Sequence, residues 1–194
     1  MTTARRDPNG QTPFGSWVQA HPDLDSIRHS LTITDADMMF HKYKTYTDSI
    51  GTREIQLQMW VEVKSFNAQL TKSQHETLFD HHQALNTKSQ TVMRRSTNGK
   101  NRQVWHFGVC ILQMEGQIPE DNKTRWGVFR CDGSIRWYPC SAVHGIVEVL
   151  RFDRRPDNPK QMLSIRRHHK NTFYIEKTKT ELGFFVDETL IKRS

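Results

Sequence analysis

Two stretches early in the chain alternate between apolar and polar residues with the two-residue period of a β-strand. The stretch 55–64 has apolar residues at every second position, and its other face ends in Glu62 and Lys64. The stretch 32–40 opens with the same alternation. Turn-forming residues at 46–53 separate the two stretches, so we expect them to pair as antiparallel strands.

After this pair, apolar residues recur at helical spacing and predict helices, and alternating runs separated by turn residues predict the later strands. The chain then ends in a basic segment beyond Arg154 that we expect to be largely irregular, with a strand at 172–176. The other predicted elements are a short helix at 13–20, a helix at about 71–85, an irregular loop at 86–102, a strand at 103–114, a hairpin at 125–138 and a helix at about 141–152.

Four charged side chains would meet where the first two strands pair. Asp35 and Asp37 share one face of the predicted strand 32–40, and Glu62 and Lys64 share one face of its neighbour. Carboxylate oxygens are the ligands that Mg²⁺ and Mn²⁺ prefer, and a nearby ammonium can orient a water or stabilise a phosphoryl transition state. This set of residues indicates metal-assisted cleavage of a phosphodiester.

These residues, in this order, resemble the PD-(D/E)xK nuclease superfamily, in which an Asp begins one core strand and (D/E)-x-K lies on the next. The resemblance covers roughly residues 13–113 and assigns Asp37, Glu62 and Lys64 as catalytic, with Asp37 and Glu62 as metal ligands. Asp35 is the alternative first ligand or an auxiliary one. We favour Asp37 because apolar residues follow it directly. The resemblance implies Mg²⁺ (or Mn²⁺) as cofactor, and similar small proteins occur in phages and mobile elements.

The expected fold class is therefore α/β: a mixed central sheet flanked by helices, with a restriction-endonuclease-like core, an added β-hairpin and a basic C-terminal extension. Residues 1–12 would be a disordered tail and 13–153 the nuclease core with its hairpin and helix. Residues 154–194 would be an extension packed on the same domain.

Gln74 has two interpretations. Relatives of RecB carry a Gln-x-x-x-Tyr motif on the helix after the Lys strand, and Gln74 would match its first position, although Leu78 replaces the Tyr. The resemblance thus implies an auxiliary role in the active site. Alternatively, Thr71-Lys72-Ser73-Gln74 fits a capping box, in which the Gln side chain bonds back to the residue that caps the helix.

Positive charge indicates a polyanionic partner. The formal net charge is +7, five Lys or Arg residues and no acid occur in 88–102, and seven against two acids occur in 151–170. Such clusters are typical of phosphate neutralisation with counterion release, so we expect DNA as the partner, with RNA left open. The candidate nucleic-acid-binding residues are Arg94, Arg95, Lys100, Arg102, Arg154, Arg155, Arg166 and Arg167.

Other features bound the setting. Three cysteines without C-x-x-C spacing predict reduced thiols, which suits a cytoplasmic protein. No apolar run is long enough for a membrane span. The leading hypothesis is a metal-dependent endodeoxyribonuclease that acts alone, as a homo-oligomer or within a larger complex. The alternatives are a non-catalytic nucleic-acid-binding module of the same fold and a protein-interaction or assembly factor.

Overall fold

The computed structural model describes residues 12–24, 31–34, 38–48, 51–86, 91–95, 101–120, 123–140, 144–167 and 173–175. The predicted tail therefore lies outside the described residues apart from Thr12, as do Asp35, Asp37 and Lys100. The described helices are α1 (Pro13–Ala20), α2 (Lys72–Asn86) and α3 (His144–Leu150), with a 3-10 helix at Pro22–Leu24. The strands are β1 (Leu31–Thr34), β2 (Met39–Asp48), β3 (Gly51–Lys64), β4 (Thr91–Arg95), β5 (Asn101–Met114), β6 (Thr124–Phe129), β7 (Ile135–Cys140), β8 (Arg154–Arg155), β9 (Asn158–Met162), β10 (Ile165–Arg167) and β11 (Phe173–Ile175).

The fold is α/β with a mixed central sheet, as the sequence predicts. Seven strands form the sheet in the order β1-β2-β3-β5-β6-β7, and β4 also pairs with β5. The strands β2 and β3 form the predicted antiparallel hairpin, from Met39 opposite Trp60 to Asp48 opposite Gly51. The strands β3 and β5 are parallel, and α2 lies in the connection between them, as parallel pairing requires a crossover.

The two faces of the sheet have separate apolar cores, and the alternation in β3 decides which residues enter each. Ile55, Leu57, Met59 and Val61 are buried on one face with Phe14 and Val18 of α1 and Ile146, Val149 and Leu150 of α3. On the other face, Val109, Ile111 and Phe129 pack against Trp60 and against Leu78, Phe79 and Leu85 of α2. Helices thus cover both faces, and the polar side of β3 lies on the α2 face.

The prediction of one continuous strand at 32–40 is wrong. The strand β1 ends at Thr34 and β2 begins at Met39, and the two pair with each other as an antiparallel hairpin. Met38 has a left-handed backbone (φ 44°), a conformation found in turns. Asp is itself a common turn residue, so the Asp-Ala-Asp sequence favours a change of direction over a continued strand.

Two later predictions also need correction. The segment 86–102 is not wholly irregular, because it contains β4, which pairs with β5 from Thr91 opposite Trp105 to Arg95 opposite Asn101. The β-branched pair Thr91-Val92 favours a strand despite the polar residues around it. Beyond Arg154 the chain likewise forms the short hairpins β8–β9 and β10–β11, of which only the strand near 172–176 was predicted.

The hairpin β6–β7 confirms the turn signal at Asp132-Gly133. Gly133 has φ +82°, and the Asp132 carboxylate accepts hydrogen bonds from the backbone N–H and the hydroxyl of Ser134.

The described helices include none long and apolar enough to cross a lipid bilayer.

Gly127 in β6 generates a stability prediction. A Cβ at this position would lie 2.8 Å from Trp137 Cζ3 and 2.9 Å from Ile135 Cγ2. We expect Gly127→Ala to lower the free energy of unfolding by about 1–3 kcal/mol, because packed side chains must move. In a thermal melt this would lower Tm by roughly 2–4 °C for each kcal/mol. Gly116→Ala is the control, because only the flexible Glu120 carboxylate, at 3.0 Å, must give way there. Equal Tm values for the two variants would contradict the prediction.

Candidate active site

Glu62 and Lys64 project from the same face at the end of β3, as predicted. Lys64 Nζ lies 2.8 Å from Glu62 Oε1, and the side chains are 12% and 26% exposed, respectively. A buried ammonium is stable only with partners that compensate its lost hydration. The structure therefore holds the lysine beside the carboxylate at a position that solvent still reaches.

Gln74 forms the predicted capping box, and its side chain also contacts Lys64. Gln74 Oε1 accepts a hydrogen bond from the Thr71 backbone N–H (3.2 Å), and Thr71 Oγ1 accepts one from the Gln74 N–H (3.2 Å). These reciprocal bonds are the capping box at the start of α2. The same Gln74 Oε1 also accepts from Lys64 Nζ at 3.1 Å. The helix cap thus fixes the amide that, together with Glu62, positions the lysine.

A cleft of about 170 Å³ opens beside Glu62 between β3, β5 and α2. His81 is exposed at its edge, and its ring lies 6.0 Å from that of Trp60. The cleft is lined by Trp60, Glu62, Thr77, Leu78, His81 and Val109. Glu62 therefore pairs with Lys64 and also lines open space that could admit a substrate group.

His82 anchors α2 to β5 beneath this cleft. Its Nδ1 lies 3.1 Å from the Val109 carbonyl oxygen and 3.2 Å from the Val109 nitrogen. Burial lowers the pKa of His82, and the hydrogen bond to the Val109 carbonyl opposes that effect only in part. His82 therefore belongs to the face of α2 that packs on the sheet.

A second polar group lies on β2 and β3 and was not predicted. Gln56 is buried, and its Nε2 donates to His41 Nδ1 (2.7 Å) and to Tyr43 OH (3.0 Å). Burial lowers the pKa of His41. The signal in the sequence was the alternation that places the polar residues Gln56 and Gln58 on one face of β3. It does not identify their partners, because the predicted neighbouring strand ended at residue 40, before His41 and Tyr43.

Gln113 was also missed, although it lies in register with Lys64 on the adjacent strand. Its Nε2 donates to the Ala68 carbonyl (2.8 Å), and its Oε1 accepts from Arg125. The Arg125 guanidinium lies over the ring of Trp137 at 4.3 Å. Gln113 thus ties the turn that follows Lys64 to the sheet, a role that no local sequence pattern indicates.

Asp35 and Asp37, the predicted acidic partners of Glu62, lie outside the described residues. Their neighbour Met38 is described, and its carbonyl accepts a hydrogen bond from the Val61 N–H at 3.2 Å. The chain that follows Asp37 therefore lies directly against the residue before Glu62. Within the described ranges no three His, Cys, Asp or Glu side chains form a metal-binding group.

The candidate nucleic-acid-binding arginines differ in their surroundings. Arg154 pairs with Glu148, and Arg155 is buried and pairs through both its Nε and a terminal nitrogen with Asp157. The prediction that Arg155 contacts phosphate therefore needs correction: its charge is already compensated inside the protein. Arg94 and Arg95 lie on β4, Arg102 on β5, and Arg166 and Arg167 on β10.

Comparison with known proteins adds no assignment: the chain matches no protein-family model, no curated protein sequence and no solved structure.

The capping box generates a stability prediction. Thr71→Ala removes the hydroxyl that accepts from the Gln74 N–H. We expect the free energy of unfolding to fall by about 0.5–2 kcal/mol in urea titrations. Thr77→Ala is the control, because Thr77 lies inside α2, where Ala is the better helix former. The prediction fails if the two variants have equal midpoints or if Thr77→Ala is the less stable.

The lowered pKa of His82 makes stability depend on pH. Below about 6.5 the unfolded chain binds a proton that the folded His82 binds only at lower pH, so folding stability is lost as the pH falls below that value. We expect the urea midpoint to fall from pH 8 to pH 5.5, and to fall less in His82→Gln; the remaining dependence includes His41, whose pKa is lowered in the same direction. An unchanged pH dependence in His82→Gln would contradict this assignment.

Proposed function

We propose that this protein is a Mg²⁺- or Mn²⁺-dependent nuclease that hydrolyses phosphodiester bonds of DNA, with endonucleolytic cleavage favoured. Glu62 acts as a metal ligand, Lys64 assists the attacking water, and Gln74 positions Lys64. Asp37, or Asp35 in its place, supplies the second carboxylate. The restriction-endonuclease-like assignment of the fold is part of this proposal.

The observation that carries the proposal is the contact of one ammonium with two different oxygens at the edge of a cleft. Lys64 Nζ meets Glu62 Oε1 at 2.8 Å and Gln74 Oε1 at 3.1 Å, and Glu62 lines the cleft. A solvated charge pair on a strand would need neither the second partner nor the partial burial of the lysine. A reactive lysine, by contrast, must be held in one orientation.

The order of elements also supports the proposal. The strand β2 begins two residues after Asp37, β3 ends at Lys64, and α2 and then β5 follow. This is the order that the resemblance requires: an Asp at the start of one strand, E-x-K on the next, a helix and a further core strand. The hydrogen bond between Val61 and the Met38 carbonyl brings the start of β2 to the end of β3.

The Glu62 carboxylate is the kind of oxygen donor that a hard divalent cation prefers, and it supplies one of the ligands that such an ion needs. Mg²⁺ commonly takes one or two protein carboxylates and completes its shell with water and substrate oxygens. Within the described part of the chain, Glu62 is paired through its Oε1, and the residue also lines the cleft, where it could serve as a ligand. A divalent ion bound there would supply charge neutralisation and a lowered pKa for its water. Lys64 would hold that water in line with the phosphorus.

Net charge supports a polyanionic substrate. Lys64 offsets the charge of Glu62 locally, so the overall +7 sets the long-range field that an approaching nucleic acid meets. Arg94, Arg95 and Arg102 lie on one antiparallel pair, β4 and β5, next to β3 in the sheet. Basic residues on this pair would contact phosphates that flank the cleaved bond.

Plasmid cleavage tests the proposal. The protein is incubated with supercoiled DNA and Mg²⁺ or Mn²⁺, with EDTA as the metal-free control. We expect nicked or linear product for the wild type, none in EDTA, and a rate at least about 100-fold lower for Glu62→Gln and for Lys64→Met, because each substitution removes a group that acts on the reacting phosphate.

Matched controls are Glu115→Gln and Lys123→Met, which break an exposed surface ion pair with a separation of 3.7 Å. These variants should cut at the wild-type rate, and thermal melts should show that all four variants are folded. Metal-independent binding of DNA without cleavage would overturn the proposal in favour of a binding module. Binding to acidic protein but not to DNA at moderate salt would favour an interaction factor.

A further inference from the structure

Phe66, two residues after Lys64, is an aromatic side chain that the fold leaves in solvent. It is 54% exposed, whereas most large apolar side chains in the described part of the chain are buried or partly buried. Its backbone has φ 56°, and that of Asn67 has φ 54°. Two consecutive residues therefore adopt the left-handed conformation directly after the strand that carries the candidate site.

This conformation is unfavourable for Phe in particular. Asn tolerates the left-handed region because its short polar side chain can bond locally, and Gly adopts it freely, but a bulky side chain is strained there. Asn67 thus suits its left-handed backbone conformation, whereas Phe66 does not. The side chain also gains little from burial. Neither local conformation nor packing explains an aromatic residue at position 66.

The surrounding structure holds the strained turn in place. The Phe66 N–H donates to the Gly116 carbonyl (3.2 Å), and the Asn67 N–H donates to the Met114 carbonyl (2.8 Å). Gln113 Nε2 donates to the Ala68 carbonyl (2.8 Å). Strained residues that are fixed by their surroundings cluster at functional sites. The turn therefore fixes the backbone from which the Phe66 side chain projects into solvent.

A second exposed apolar residue belongs to the adjoining loop. Ile118 is 39% exposed, and its loop is tied to Phe66 through the Gly116 carbonyl. We define Phe66 and Ile118 as the apolar ridge. Phe66 follows Lys64 by two residues, and the ridge lies on a protein with net charge +7. An exposed apolar ridge on a positively charged protein suits a ligand that has both a negatively charged backbone and flat apolar faces.

We propose that Phe66 stacks on an unpaired base of the nucleic acid that is cut beside Glu62 and Lys64. This inference rests on the proposed function and deepens it, because it assigns a substrate class: single-stranded DNA, or duplex DNA with a base out of the stack next to the cleaved bond. Aromatic side chains bind any base in this way because every base has a π face. Apolar side chains such as Phe and Ile also act as wedges that separate stacked bases.

The test uses Phe66→Asn and Phe66→Trp in the full-length protein. The probe is a single-stranded oligonucleotide with 2-aminopurine, whose fluorescence falls on stacking, titrated in EDTA so that no cleavage occurs. We expect Phe66→Asn to raise Kd roughly 5- to 150-fold and to abolish the quenching, because one stacking contact is lost. Phe66→Trp should keep both. Met162→Ser is the control, because Met162 is 59% exposed on β9 and lies outside the ridge.

Thermal melts separate a binding role from a structural one. Asn suits a left-handed backbone better than Phe does, so we expect the Tm of Phe66→Asn to equal or exceed that of the wild type. A fall of more than about 5 °C would show that Phe66 stabilises the fold, and would overturn the inference. Wild-type affinity and quenching in Phe66→Asn would also overturn it, as would the absence of any DNA binding by the wild type.

The two proposals fail separately. If Phe66→Asn binds like the wild type while Glu62→Gln abolishes cleavage, base stacking is overturned and the nuclease stands. If no metal supports cleavage but quenching still depends on Phe66, the nuclease is overturned and a base-binding surface is supported. Quenching with single-stranded and not with fully paired oligonucleotide would support the unpaired base as the ligand. A contact of Phe66 with protein would leave all DNA measurements unchanged, which would overturn the inference.

Discussion

The coupling of Lys64 to both the end of β3 and the start of α2 is the constraint on which the candidate site depends. The ammonium is largely removed from water, and an isolated buried charge is costly. It is accommodated because one oxygen comes from Glu62 on its own strand and another from Gln74 on the following helix. The first turn of α2 must therefore be capped for Gln74 to reach the lysine, so helix capping and the orientation of a reactive group share one amide.

The local part of this arrangement could be predicted from the sequence, and the long-range part could not. Alternation along 55–64 places Glu62 and Lys64 on one face, and the spacing of Thr71 and Gln74 predicts the cap. The break between β1 and β2 was missed because an Asp-x-Asp sequence suits either a strand or a turn, and the backbone at Met38 decides. Arg155 appeared to be a surface cation because neither its burial nor its pairing with Asp157 can be read from a count of charges.

Phe66 shows a different limit of sequence-based prediction. Composition and periodicity describe an apolar residue after a strand as a candidate for the core, and nothing in the pattern indicates a left-handed backbone at Phe66 and Asn67. That conformation comes from hydrogen bonds to Met114 and Gly116, which lie about 50 residues further along the chain. Strain at such a turn reduces stability and is retained only where other contacts outweigh it. The apolar cores on both faces of β3 supply the stabilising contacts that outweigh this strain.

The electrostatics of the site follow from the same few contacts. An acidic site repels a polyanion, so a carboxylate that is to meet a phosphate needs local compensation. Lys64 supplies it at 2.8 Å, where the two charges largely cancel beyond a few ångströms. Under the proposed function, the field that guides a nucleic acid comes from basic residues elsewhere, among them those on β4 and β5. Steering over distance and chemistry at contact would then be assigned to different residues, and Glu62 would stay available beside the cleft without driving the substrate away.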